Sequence, residues 1–167
     1  SGIGLLTCHI PSDGASAVHC SVPEAMVSHD PSGEFISDIG DIEMFGALGV
    51  GPGTGTGPET ENALYQLLLK CRKPVVLDAD ALNILSVNKE WITLLPAGTI
   101  LTPHPKEFER LAGRTENGFA RLARQREFSI EHKCIIILKG AYTSITNSEG
   151  QVFFNSTGNP GMATAGS

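Results

Sequence analysis

The stretch that decides the fold spans residues 47–83 and reads ALGVGPGTGTGPETENALYQLLLKCRKPVVLDADALN. It opens with a short apolar strand at 47–51 and enters a loop in which every second residue is glycine. Pro58 suits the first turn of a helix, with Gly57 as its cap, and apolar residues then recur at the spacing of one helical face. A β-branched strand at 74–77 follows and ends at Asp78. This alternation predicts an α/β fold with a largely parallel sheet.

The rest of the chain continues the pattern. Further strands are expected at 5–10, 25–28, 99–102 and 134–138, and the last of these is continuously apolar, as in a strand covered on both faces. A helix begins near Glu107, and a longer helix is expected to bury one apolar face formed by Phe119, Leu122, Ala123 and Ile130. Residues 143–146 and 151–154 read as a hairpin around 147–150.

Composition limits the classes of function. The 167 residues, 41% hydrophobic and 18% charged, suffice for one domain with a real core. A net charge of -6 gives no general attraction for nucleic acid, so a phosphate ligand needs locally placed donors. No apolar run reaches about 18 residues, which argues against a membrane span, and no secretory leader is recognised. The four cysteines lack metal-ligand spacing, so we expect free thiols and a cytoplasmic protein.

Four unusual loops each follow a predicted strand directly. They are residues 51–53, 78–80, 102–104 and 139–140. In open parallel sheets, ligands bind at the carboxyl ends of the strands. The sequence therefore predicts that these loops lie along one edge of the sheet and form a site there.

Each loop also has a purely structural interpretation. The glycine loop either approaches a ligand closely or makes a tight turn. Asp78 or Asp80 either faces the site or caps the next helix. His104 and Glu107 lie on one face of a helix start, where they could hold a ligand and Mg²⁺ or only complement the helix dipole.

Two further features leave similar alternatives. Lys139 follows the most apolar strand and is either a phosphate-binding cation or a solvated lysine. Residues 155–167 form an anion-binding nest if a helix follows them, and otherwise a disordered tail. The histidines at 9, 19 and 29 share no face, and we interpret them as incidental.

Taken together and in this order, the motifs resemble the ADP- or ATP-dependent NAD(P)H-hydrate dehydratases of the ribokinase-like superfamily. The resemblance covers essentially the whole chain. The stretches that carry it are Ser1–Leu5, Pro23–Met26, Gly51–Gly55, Asp78–Asn83, Thr102–Phe108, Lys139–Thr143 and Asn155–Ser167.

The resemblance implies a ribokinase-like layered fold, with a mostly parallel sheet, helices on both faces and a small β-hairpin. It also implies the activity, a carbon–oxygen lyase reaction that repairs hydrated NADH or NADPH. ADP or ATP phosphorylates the added ring hydroxyl in the presence of Mg²⁺, and phosphate elimination then restores the reduced cofactor. Residues 1–167 are expected to form a single domain that is truncated at both ends.

The resemblance also implies site residues. Those expected on the hydrated cofactor are Gly53, Gly55, His104, Pro105, Lys106, Glu107, Phe108, Glu109 and Arg110. Those expected on the nucleotide are Lys139, Gly140, Ala141, Tyr142, Thr143, Asn159, Gly161, Met162, Ala163, Thr164, Ala165, Gly166 and Ser167. Glu107 matches the carboxylate that organises Mg²⁺ in ribokinase-like kinases.

In the family, the catalytic base is an aspartate that follows the position of Ser167, so no residue of this chain is expected to be the base and the chain is expected to be nearly inactive. The alternatives are a ribokinase-like small-molecule kinase and a non-catalytic nucleotide-binding module. Small-molecule nucleotides are the expected partners, with a homo-oligomer and a fused or separate epimerase for the hydrated cofactor as further possibilities. Neither nucleic acid nor membrane is expected.

Overall fold

A computed structural model of the chain describes residues 4–155 and 157. Near the amino terminus, β1 (Thr7–Pro11) and β2 (Met26–Asp30) form a two-stranded parallel sheet, joined by a 3₁₀ turn and helix α1 (Ala15–Ser21). Helix α1 is not foreseen by the sequence, because its few apolar residues show no helical periodicity.

Among the described residues, the main sheet has six strands in the order β3-β4-β5-β6-β7-β8. The first four are parallel to one another, and the last two form an antiparallel hairpin on β6. The strands are β3 (Leu48–Val50), β4 (Val75–Leu77), β5 (Ile100–Leu101), β6 (Ile135–Leu138), β7 (Thr143–Thr146) and β8 (Val152–Asn155). The predicted α/β class, the mostly parallel sheet and the small hairpin are confirmed.

Helices connect the parallel strands. They are α2 (Pro58–Lys70), α3 (Ala79–Val87), α4 (Pro105–Ala112) and α5 (Gly118–Glu131), with a 3₁₀ segment at Lys89–Leu94. As predicted, α2 starts with Pro58 behind Gly57 and buries Leu64, Leu67 and Leu68. Within the described residues, no helix is long and apolar enough to cross a membrane.

The core lies between these helices and one face of the sheet. Val75, Leu77, Leu101 and Ile136 are buried there against residues of α2, α3 and α4. The other face is less covered, since β6 alternates between buried and half-buried residues. In the described part of the chain, this strand is therefore fully covered on one face only, whereas its apolar run predicts cover on both.

The predicted apolar face of α5 is wrong. Phe119 is 89% exposed and Ile130 is also exposed, while Gln125, Phe128 and Ser129 are buried. The helix faces the buried side of β7, which presents Ser144 and Thr146 rather than apolar side chains. The polar face of α5 turns inward because that strand offers it hydrogen-bond partners.

The small sheet contains one buried carboxylate. Asp30 accepts hydrogen bonds from the amides of Ser32, Ser37 and Asp38 and from the Ser37 hydroxyl. Burial alone would raise the pKa of Asp30, but these hydrogen bonds lower it well below its ordinary value. The ring of His9 lies 3.3 Å from Asp30 and 3.1 Å from the Ser28 hydroxyl, so His9 has a structural role that its sequence position does not reveal.

Candidate active site

The four loops lie at one edge of the main sheet, as the sequence predicts. Because β3, β4, β5 and β6 are neighbouring parallel strands, their carboxyl ends point the same way. Backbone hydrogen bonds join the loops: the Asp78 amide donates to Val50, and the Lys139 amide donates to Pro103. An open cavity of about 360 Å³ lies here, lined by Gly49, Val50, Pro52, Val76, Asp78, Thr102 and Lys139.

The glycine loop combines a packing requirement with an exposed surface. Gly51 has a φ of 139°, and a Cβ there would lie 1.8 Å from the carbonyl oxygen of Asp78, so only glycine fits. Gly53 and Gly55 also have positive φ, but a Cβ on either would meet open space. The first glycine is therefore structural, while the other two shape a loop that stays accessible.

Asp78 has both of the roles that its position suggests. It is the N-cap of α3, where its side chain accepts from the Ala79 amide at 2.9 Å. The same oxygen accepts from the Lys139 ammonium at 2.6 Å. Burial would raise the pKa of Asp78, but hydrogen bonds, chiefly the one from Lys139, lower it below its ordinary value. Ala79 has a φ of 45°, which places unusual backbone directly beside this ion pair.

Lys139 therefore is not simply a solvated lysine at a strand end. Its side chain is 47% exposed and lines the cavity, and Asp78 holds its ammonium in place. An ammonium has three N–H donors, so hydrogen bonds to a second anion remain available. Lys139 can therefore donate a hydrogen bond to a phosphate oxygen while it stays paired with Asp78.

His104 and Glu107 form a capping box at the start of α4. The Nδ1 atom of His104 accepts from the amides of Lys106 and Glu107, and Glu107 accepts from the His104 amide at 2.8 Å. Because Nδ1 accepts, the neutral ring carries its proton on Nε2, which lies 3.4 Å from a Glu107 oxygen. The ring is half-exposed, so Nε2–H is the group that can reach a ligand.

The remaining α4 residues differ in what they can contact. Phe108 is fully buried and packs edge-to-face on Phe128 in the core, so the geometry does not support its predicted contact with the cofactor. Lys106 and Arg110 are exposed, and Arg110 donates to Asn83 at 2.9 Å. Pro105 occupies the first position of α4. Glu109, one turn later in the helix, is half-buried.

The predicted nucleotide residues fall in two groups. Residues 140–142 form an exposed turn after β6, with Tyr142 74% exposed, and Thr143 begins β7. Asn159 and the loop 161–167 lie outside the described residues.

Sequence reasoning did not assign two contacts made by the segment 78–83. Asp80 accepts a hydrogen bond from the Gly55 amide at 2.9 Å, and Asn83 accepts from Arg110. Each joins residues at least 25 positions apart, and only the strand order brings them together. The predicted parallel sheet does indicate that the loops carrying these residues lie close together, but not which side chains pair.

No cluster of three or more potential metal ligands occurs among residues 4–155 and 157. Glu107 is therefore a single buried carboxylate, with one oxygen already accepting from the His104 backbone. A lone carboxylate fits Mg²⁺ only as one ligand beside phosphate oxygens and waters.

Known proteins with similar sequences indicate the family to which this chain belongs. Residues 1–167 match a family described as NAD(P)H-hydrate dehydratase. The chain is 36% identical over its whole length to a bifunctional NAD(P)H-hydrate repair enzyme of Moorella thermoacetica, covering 33% of that protein. It is 38% identical over 88% of its length to an ADP-dependent (S)-NAD(P)H-hydrate dehydratase of Neisseria meningitidis, covering 52% of it.

A solved structure shows the same fold. The chain superposes with a TM-score of 0.77 on an ADP/ATP-dependent NAD(P)H-hydrate dehydratase of Bacillus subtilis that was co-crystallised with ATP and Mg²⁺. The identity is 26%, over 99% of this chain and 58% of that one. The layered α/β fold implied by the motifs is confirmed, and the chain spans about a third to three fifths of these relatives. From the match along its full length, this chain belongs to the NAD(P)H-hydrate dehydratase family.

Proposed function

We propose that the protein carrying this chain dehydrates hydrated NADH or NADPH at the carboxyl edge of β3–β6, with ADP or ATP as phosphoryl donor. The observation that supports this most directly is the convergence of the four family motifs on one open cavity. Lys139 and Pro52 of the glycine loop line this cavity. The accessible part of that loop, at Gly53 and Gly55, and the ring N–H donor of His104 belong to two of the same four loops.

The chemistry explains why both ligands are needed. Hydroxide is a poor leaving group from the hydrated nicotinamide ring, whereas phosphate is a good one. A base therefore takes the proton of the hydroxyl while its oxygen forms a bond to the terminal phosphorus of the nucleotide, and the bond from that phosphorus to the rest of the nucleotide breaks. The carbon–oxygen bond then breaks, phosphate leaves with the electron pair, and loss of a ring proton restores the dihydronicotinamide. Positioning and charge stabilisation are what the protein must supply.

On the cofactor side, the proposal uses the exposed parts of two loops. Gly53 and Gly55 allow close approach of the backbone, and His104 offers Nε2–H to a polar group of the ring or its amide. Lys106 and Arg110 are exposed cations on α4 that can pair with the cofactor phosphates. Pro105 and Glu109 complete the proposed contacts.

On the nucleotide side, Lys139 binds a phosphate oxygen while Asp78 keeps its ammonium over the cavity. Residues 140–143 contact the nucleotide beside it, and the exposed ring of Tyr142 offers an apolar surface for it. We propose that Asn159 and residues 161–167 complete the phosphate site. Bound Mg²⁺ would neutralise phosphate charge, and Glu107 would hold it together with phosphate oxygens and waters.

The test is recovery of reduced cofactor. The purified whole protein that carries this chain is mixed with hydrated NADH or NADPH, Mg²⁺, and either ADP or ATP, and the absorbance of the dihydronicotinamide ring is followed. We expect recovery that requires the nucleotide. A phosphorylated product that accumulates without recovery would instead indicate a small-molecule kinase. Nucleotide binding with neither product would indicate a non-catalytic binding module.

We further propose that this protein works with an epimerase for the hydrated cofactor, fused or separate. The relative named a bifunctional NAD(P)H-hydrate repair enzyme supports the fused arrangement, and the relative named an ADP-dependent dehydratase supports the separate one. Mass spectrometry of the purified whole protein and its partners tests this.

A further inference from the structure

Two loops of the site and helix α4 are each hydrogen-bonded to a single short segment. Residues 78–83 follow β4 directly and form the N-cap and first turn of α3, and three of their side chains each contact a different part of the site. Asp78 contacts Lys139 on the nucleotide side, at 2.6 Å. Asp80 contacts Gly55 in the glycine loop and Asn83 contacts Arg110 on α4, both at 2.9 Å.

The segment is well placed to act as a rigid support. On its other side, α3 buries Ala81, Leu82, Ile84 and Leu85 in the core. Asp80 and Asn83 are three residues apart, so they project from one face of the helix. A packed helix holds its side chains more accurately than a loop does, and such support determines how well a site is formed.

Each contact fixes a group that is otherwise mobile. The Lys139 ammonium sits on a long flexible stem, and ordering such a stem costs conformational entropy when a ligand binds. The Gly55 amide belongs to an exposed loop rich in glycine, and its bond to Asp80 restricts that loop. Arg110 is likewise an exposed, flexible side chain that Asn83 orients.

We propose that Asp78, Asp80 and Asn83 are positioning residues, each of which holds a group that contacts one of the two ligands. Asp78 serves the nucleotide through Lys139, while Asp80 and Asn83 serve the cofactor through the glycine loop and Arg110. This inference rests on the proposed function for the identity of the two ligands. The positioning itself is a property of the chain and can be measured without turnover.

The first experiment measures amide hydrogen exchange of the labelled protein by NMR, without ligand. We expect Asp80→Ala to remove protection of the Gly55 amide, and Asp80→Asn to retain it, because the asparagine oxygen still accepts. Equal protection at Gly55 in the wild type and Asp80→Ala would overturn the inference. So would loss of protection spread over the whole sheet, which would indicate a folding defect.

The second experiment measures binding of ADP and of NADPH by calorimetry. We expect Asp80→Ala to weaken NADPH about tenfold and to leave ADP unchanged, with Asp80→Asn close to wild type. Asp78→Asn, which keeps the helix cap, should weaken ADP by about threefold to tenfold and leave NADPH unchanged. Equal weakening of both ligands by either variant, or no rescue by Asp80→Asn, would overturn the separate roles.

The two proposals fail in different ways. A wild-type protein that shows the expected exchange pattern but never restores reduced cofactor would refute the dehydratase and retain the positioning role. A protein that restores reduced cofactor, with an Asp80→Ala variant that binds NADPH normally, would support the dehydratase and refute the positioning role.

Discussion

Two polar networks in this molecule have opposite surroundings. At the carboxyl edge of the sheet, Asp78 pairs with Lys139 beside an open cavity, and Asp80 accepts a hydrogen bond from the Gly55 amide. All three side chains remain partly exposed. Between α5 and β7, Gln125 and Ser144 form a network with almost no contact with water. Gln125 donates to two backbone carbonyls and accepts from the Ser144 hydroxyl at 2.7 Å.

The difference shows how burial separates binding from architecture. Every polar group of the closed network has a partner within the chain, so it can fix the position of α5 but offers nothing to a ligand. The open network keeps hydrogen-bonding capacity for a molecule from outside, as the half-exposed Lys139 illustrates. Substitutions in the closed network should affect stability alone, and substitutions in the open network should chiefly affect binding.

The largest loss of stability is expected at Gly51, where the glycine loop packs against the backbone of Asp78. Gly51→Ala places a Cβ against the Asp78 carbonyl and should cost more than about 3 kcal/mol of unfolding free energy. Gly53→Ala is the matched control: its φ is also positive but the space is open, so only backbone strain of about 1–2 kcal/mol is expected. Denaturant unfolding measures both, and equal losses would show that the contact with Asp78 is unimportant.

The closed network should respond next. Gln125→Ala leaves two buried carbonyls and the Ser144 hydroxyl without that partner, so we expect a loss of about 2–4 kcal/mol. ADP affinity of the folded fraction should not change. Glu127→Gln, on the exposed side of the same helix, should stay within about 0.5 kcal/mol. A stable Gln125→Ala protein with weakened ADP binding would reverse the assignment of the two networks.

The open network should show the complementary pattern. Lys139→Ala should weaken ADP by about tenfold to a hundredfold, because a charge-assisted phosphate contact contributes about 1.5–3 kcal/mol. NADPH affinity and unfolding free energy should change little, since the lost ion pair is partly exposed. Calorimetry with both ligands checks this, and an unchanged ADP affinity would remove Lys139 from the nucleotide site.

The apolar elements of the fold are more predictable from the sequence than the buried polar face of α5. The apolar run at 134–138 predicts strand β6 correctly, although only one face of that strand is fully covered. The helical spacing of Leu64, Leu67 and Leu68 predicts α2 correctly, because burial there follows hydrophobicity. The inward face of α5 was missed because it is polar, and its partners lie on a strand that follows later in the chain. Such a reversal cannot be read from one helix alone.

The site was predictable in outline but not in its contacts. The rule that ligands bind at the carboxyl ends of parallel strands placed the four loops on one edge. The Asp78–Lys139 pair spans 61 residues, so its geometry depends on the strand order rather than on any local pattern.

The smallest expected effect is on the pH dependence of stability. Asp78 has a lowered pKa in the folded protein, so its contribution is fully present above the ordinary carboxyl value of 3.8 and is lost as pH falls through the folded value. Asp78→Asn should therefore be slightly less stable than wild type at neutral pH, by up to about 1 kcal/mol, and equal to it in acid. A gap that widens in acid would contradict the lowered pKa.

The most direct test of the central claim is to locate bound ADP on the chain. Backbone amide shifts of the labelled protein are recorded during titration with ADP and Mg²⁺. We expect the largest changes in residues 139–143 and smaller ones at 78–80, with the hairpin turn 147–150 at the opposite end of β7 unaffected. Changes centred on that turn or on α5, with none at the carboxyl edge of β3–β6, would contradict the claim that this edge is the active site.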